Sequence, residues 1–124
     1  MSLRELVEQH YSGVESGDPD RAVAVFHEDV EVSTPGMASM RGREAHRAVA
    51  QGYVEAFPDA KFTIKNVIES GDWIVVEGTY SGTHSGPMRG PQGELPASGR
   101  RVSIDYADVF RLVCGLYRLA PAGP

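Results

Sequence analysis

The stretch KFTIKNVIESGDWIVVEGTYSGTH, Lys61 to His84, is where the chain changes its hydrophobic period. Before it, apolar residues recur every three to four positions; within it they alternate. Phe62 and Ile64 share one side and, past a slip at Asn66, Val67 resumes the pattern. Alternation of this kind marks a half-buried strand. Gly71-Asp72 is a hairpin signal, so Trp73 onward is expected to return antiparallel as a second strand. SGPMRGPQGELPASG reads as a Gly- and Pro-rich loop, of the kind that either carries function or is simply loose. RRVSIDYADVFRL, Arg100 to Leu112, reads as a third long strand.

The segment upstream is helical. Ser2 with Glu5 is a capping box. Leu3, Leu6, Val7, His10, Tyr11 and Val14 then form one continuous face, which carries His10 and Tyr11 inward. SGDPD ends this helix and opens a short second one, with Asp18 as N-cap, Pro19 behind it, and Ala22, Val25 and Phe26 as its buried side. VEVSTPG reads as a brief extended arm. A third helix is expected through Ala45, Val49, Gly52, Tyr53, Ala56 and Phe57, stopped by Pro58. Helices followed by a meander of long strands make an α+β domain.

The chain has 124 residues, of which 41% are hydrophobic, a length that buries roughly two thirds of its unfolded surface in a single domain. That domain is expected to span 1–124, with 113–124 an atypical C-terminal tail. A net charge of −5 argues against a nucleic-acid surface, which needs clustered Lys and Arg. No apolar run is long enough to cross a bilayer. MSLRELVEQH lacks the apolar core of a signal peptide, and the lone Cys114 has no partner for an internal disulfide. The expected location is therefore cytoplasmic. The histidines at 10, 27, 46 and 84 show no metal-ligand spacing, and no Gly-rich phosphate loop opens a helix. No metal and no cofactor are expected.

Parity on the last long strand singles out one residue. Val102, Ile104, Tyr106, Asp108, Phe110 and Leu112 share a face, and all but Asp108 are apolar or aromatic. A bare carboxylate on such a face is costly. The group must be paired, or kept protonated by desolvation and so able to act as acid or hydrogen-bond donor. A buried Asp pinned by a hydroxyl or an Arg for structural reasons fits the same pattern. His84, at a strand end beside the Gly-rich loop, is the second catalytic candidate, since imidazole transfers protons near neutral pH. Asp105 is a fallback acid if a bulge reverses the parity.

The pieces VEQHYSGVESGDPDRAVAVFHEDVEV, RGREAHRAVAQGYVEAFPDAKFTIKNVIESGDWIVVEGTYSGTHSG and SGRRVSIDYADVFRL, in that order, resemble the SnoaL-like polyketide cyclases of the NTF2-like superfamily, which also holds the ketosteroid isomerases. The resemblance covers about Leu3 to Leu112. It implies a cone, with three N-terminal helices packed in a strongly curved antiparallel sheet around an apolar pocket, and a homodimer formed through the sheet. It also implies cofactor-free acid–base aldol cyclisation or isomerisation of a small hydrophobic carbonyl compound. The expected substrate-binding side chains are His10, Tyr11, Tyr53, Phe57, Trp73, Tyr80, Tyr106 and Phe110.

Asp108 stands where the isomerases keep a protonated aspartic acid as oxyanion donor. His10 stands where they place a helix-one tyrosine, with Tyr11 beside it. Their general base falls at Thr34, which cannot serve as a carboxylate. The acid that related cyclases carry on a final strand falls at Ala122, in CGLYRLAPAGP, where no carboxylate follows Asp108. In that tail Leu116 to Leu119 could start a strand, whose extension Pro121 and Pro124 discourage. Epoxide-hydrolase-like chemistry would need Asp105, Asp108 and Arg111 together, but parity puts Asp105 and Arg111 opposite Asp108. A non-catalytic small-molecule-binding or oligomerisation domain is the alternative.

Overall fold

A computed structural model describes residues 2–33, 39–90, 93–112 and 119–121. Expectations that rest on Thr34, Cys114 and Ala122 lie outside the described residues. Helix α1 runs Leu3–Glu15, and its capping box is formed as the sequence predicts. The Ser2 side chain accepts from the Glu5 backbone, and Glu5 reaches back to the Ser2 backbone. α2 is a single short helix, Pro19–Val23, capped by Asp18. Val25 and Phe26 are buried just past its end. α3 spans Arg43–Ala56.

The strands are β1 (Glu31–Val32), β2 (Met40–Arg41), β3 (Lys61–Ser70), β4 (Trp73–Thr83), β5 (Met88–Gly90), β6 (Gly93–Leu95), β7 (Arg101–Leu112) and β8 (Leu119–Pro121). The main sheet is antiparallel in the order β3-β4-β7-β8. Two small ribbons, β1-β2 and β5-β6, stand apart from it. The second lies inside the segment expected to be all loop. The slip at Asn66 is a register shift between Ile64 and Asn66, a bulge that re-aims the strand. β8, at the edge of the sheet, includes Pro121, and edge strands are where a sheet admits proline.

The helices cover one face of this sheet. The buried core joins Leu6, Val7 and Tyr11 of α1 to Phe26, Ala50, Ile74, Val76 and Phe110. A second cluster, with Phe57 and Tyr80 at its centre, closes the far end. α3 is rotated from the expected face: His46 and Ala50 are buried, whereas Ala45 and Val49 are only half-buried. His46, Ala50, Tyr53 and Phe57 stand at i, i+4, i+7 and i+11, a stripe as regular as the one built on Ala45. The opposite face of the sheet is outward and mixed, with Ile68, Trp73 and Val109 exposed among charged residues. Among the described residues no helix is long and apolar enough to cross a membrane.

Candidate active site

β7 delivers Asp108 to the helix-covered face. Its ladder partner is Val76, and its same-face neighbours Tyr106 and Phe110 oppose Gly78 and Ile74. From α1, the Tyr11 hydroxyl donates to Asp108 Oδ2 at 2.6 Å. Burial pushes the Asp108 carboxyl above the usual range, against the Tyr11 bond, which pulls it down. Tyr11 is 3% exposed. Its own phenol is pushed far up, first by burial and then by the charge on Asp108, so it keeps its proton.

Aromatic rings hold this pair in place. Tyr11 stacks parallel on Phe62 at 4.2 Å and meets the edge of Tyr106 at 5.8 Å. The Tyr106 ring lies over Gly78, where a Cβ would come 2.8 Å from its hydroxyl and collide with the Thr63 carbonyl. Tyr80 contacts Phe62, Phe57 and Tyr53 at 5.1, 5.8 and 6.1 Å. The hydroxyls of Tyr80 and Tyr106 are buried and have no hydrogen-bond partner among the described residues. Burial raises the Tyr53 phenol, and so does the charge on Asp108. A cleft of about 350 Å³ between α1 and β3 is lined by Tyr11, Phe62 and Ile64 with Glu8, Ser12 and Glu15.

His10 does not take the helix-one donor position; Tyr11 does. The His10 Nδ1–H donates to the Ala22 carbonyl at 2.6 Å, and the ring packs on Phe26 and His46 at 4.9 and 5.5 Å. Burial lowers its pKa to about 4. His46, which sequence reasoning missed, is lowered to about 3 by burial and by His10. Phe110 joins the same core cluster, near His10 and Phe26.

His84 and Asp108 are not brought together. Asp108 opposes Val76, and His84 follows eight positions later, roughly 26 Å along an extended strand. His84 is 5% exposed and packs against Phe57. Its Nδ1 accepts from the Ser98 hydroxyl at 2.9 Å and from the Ser98 backbone at 3.4 Å. It fastens the loop after β6 to β4. The expectation for Trp73 is corrected outright. Trp73 lies on the outward face under the Arg111 guanidinium, 5.3 Å from the ring centroid. Trp73 and Tyr80 are an odd number of residues apart on one unbulged strand, so they must face opposite sides. Asp105 is likewise outward, paired with Lys65 and Thr79. Among the described residues no group of three or more His, Cys, Asp or Glu is placed to hold a metal ion.

Comparison with known proteins gives a consistent picture. The profile of the SnoaL-like domain family matches residues 7–119. Among curated proteins no sequence matches the chain. Solved structures do match. TsrD from Streptomyces laurentii is 28% identical, with TM-score 0.77 over 97% of this chain and 86% of that one. A proposed SnoaL-like polyketide cyclase from Jannaschia sp. CCS1 is 21% identical, with TM-score 0.78 over 96% and 83%. A hypothetical protein with a ketosteroid isomerase-like fold from Catenulispora acidiphila DSM 44928, solved with trimethylamine, is 18% identical, with TM-score 0.73 over 98% and 87%. The last two share the fold, which is the NTF2-like architecture of helices on a curved sheet.

Proposed function

The chain belongs to the SnoaL-like domain family, and on that premise we propose that it is a cofactor-independent acid–base catalyst acting on a small apolar carbonyl compound. The observation that carries this reading is the 2.6 Å bond from Tyr11 to Asp108 on an otherwise apolar face. Burial raises the Asp108 carboxyl, and in its protonated form that group hydrogen-bonds a carbonyl oxygen and stabilises the charge that develops there on enolisation. Tyr11 occupies Oδ2, so Oδ1 is the oxygen that serves as donor in this reading. His10, lowered to about 4, is a weak base. The reading is therefore donor-led: solvent water takes the α-proton of the carbon acid while Asp108 supplies the hydrogen bond to its carbonyl oxygen, and ring closure or isomerisation returns a proton from water.

A second reading follows from the same bond. Tyr11 spends its only proton on Asp108, which is also how a structural pin would be built, and the domain would then bind a small molecule without turning it over. Exchange of α-protons of 2-tetralone in D2O, followed by NMR, separates the two. The catalytic reading expects exchange well above buffer, falling roughly 100-fold in Asp108→Asn with the far-UV spectrum unchanged. Equal rates in the two proteins would remove Asp108 from the mechanism. No exchange above buffer, with 2-tetralone bound, would favour the binding domain.

A further inference from the structure

His84 stands apart from Asp108 but not from a hydroxyl. Past Thr83 the chain runs on beside the segment that leads into β7. The His84 backbone N–H donates to the Arg100 carbonyl at 2.9 Å, and the Gly99 N–H donates to the His84 carbonyl at 2.8 Å. Gly99 has φ +70°, a conformation that residues with a Cβ rarely adopt. The turn it makes leaves the Ser98 hydroxyl 2.9 Å from His84 Nδ1.

The position of the proton follows from the neighbours. The Ser98 backbone N–H also meets Nδ1, at 3.4 Å, and an N–H can only donate. Nδ1 therefore holds a lone pair, and the Ser98 hydroxyl directs its proton there. Ser98 Oγ in turn accepts from the Arg100 N–H at 3.3 Å. Ser98 is exposed, whereas His84 is buried against Phe57. Solutes thus reach the oxygen while the imidazole behind it is kept from water. A hydroxyl and a base within hydrogen-bond reach are the two parts that make a serine nucleophilic.

We propose that Ser98 is a nucleophile activated by His84, and that the pair hydrolyses small activated acyl compounds such as aryl esters. Ser98 Oγ bonds to the acyl carbon as its proton passes to His84 Nδ1. The Arg100 N–H, already directed at Oγ, is a backbone donor beside the carbonyl oxygen as that oxygen takes up charge. The bond from the acyl carbon to the aryl oxygen breaks, and the aryloxide leaves with the proton from Nδ1. Water then attacks the ester on Ser98 as its own proton passes to Nδ1, and that proton returns to Oγ as the carboxylic acid departs. His84 Nε2 has no partner among the described residues, so no carboxylate supports the imidazolium as in a full triad. The pair therefore suits leaving groups that depart as stable anions, and amides are left intact.

Reaction of the full chain with p-nitrophenyl acetate tests this, with p-nitrophenolate followed by absorbance and the acetyl group located by peptide mass mapping after acid quenching. Wild type is expected to release p-nitrophenolate well above buffer and to carry the acetyl on Ser98. Ser70, exposed and with no histidine partner among the described residues, is the internal reference and should stay unlabelled. Ser98→Ala, at an exposed position, should lose most of the release. His84→Gln should slow acetylation of Ser98 roughly 100-fold, with melting temperatures reporting that it folds. Because His84 also fastens the loop, a second measurement keeps the base in place: wild type in urea beyond its unfolding midpoint should acetylate Ser98 no faster than Ser70. No acetyl on Ser98 in folded wild type, as much on Ser70 as on Ser98, or release unchanged in Ser98→Ala overturns the inference. So does a folded His84→Gln that labels Ser98 at the wild-type rate.

Discussion

Asp108 is distinguished by what surrounds it rather than by its own chemistry. Burial raises its pKa and the Tyr11 hydroxyl lowers it, so the two act against each other on one carboxyl. Tyr11→Phe is expected to raise the Asp108 pKa further, because it removes the group that favours the charged form and leaves the desolvation in place. Carboxyl ¹³C NMR titration reads this directly; an unchanged or lowered value would show that the bond does not govern the proton. The same change should cost about 2 kcal/mol of stability, the usual consequence of leaving a buried polar group unpaired. Parity made Asp108 legible in the sequence as the one polar group on its face. Its partner was not legible, since Tyr11 stands 97 positions away and shares α1 with the equally inward-facing His10.

Among the elements, α1 and β7 follow their sequence patterns closely, because each has one stripe that can be buried. α3 has two overlapping stripes, one through Ala45 and Val49 and one through His46 and Ala50, and packing against Phe26 decides between them. In β4 the decisive residue is Gly78. It lies opposite Ile64, where the β3 bulge begins, and lets the Tyr106 ring cross the strand. Gly78→Ala is expected to cost about 2 kcal/mol by overpacking. Gly52→Ala on α3, where an added Cβ meets nothing within 4 Å, should be neutral or stabilising by about 0.5 kcal/mol. Urea unfolding of the two variants compares them; equal effects would mean that the close approach at Gly78 is not rigid.

For the whole molecule, the buried histidine pair sets an acid limit. An unfolded chain takes up these protons near 6.5, while the folded sites accept them only near 4 at His10 and 3 at His46. Between those values the unfolded state binds more protons, so stability is full above pH 6.5 and falls as the pH drops toward 4. The loss from His10 alone is on the order of 3 kcal/mol at pH 4. Asp108, with its raised pKa, acts in the opposite sense, adding stability below its unfolded value that fades as pH rises through the folded one. The urea midpoint should therefore decline on acidification from pH 6.5, and His46→Leu, which removes an Nδ1 without a partner among the described residues, should flatten the decline. A midpoint flat from pH 7 to 4 in wild type would mean that the pair is hydrated and titrates normally.

The sequence by itself determined what depends on neighbours along the chain: the capped first helix, the change of period at Lys61, the bulge near Asn66, and the face on which Asp108 stands. It also contained the means to place Trp73, since an odd separation from Tyr80 on one strand forbids a shared face. Only the tertiary structure decided that Tyr11 rather than His10 meets Asp108, that His46 is buried, and that His84 serves the loop after β6. Those outcomes turn on how far each helix is rotated against the sheet. That rotation is set by the collective burial of Leu6, Val7, Val14, Phe26 and Phe110. A single helix carries two inward-facing polar tips, and the fit of the whole core selects which one reaches the carboxyl.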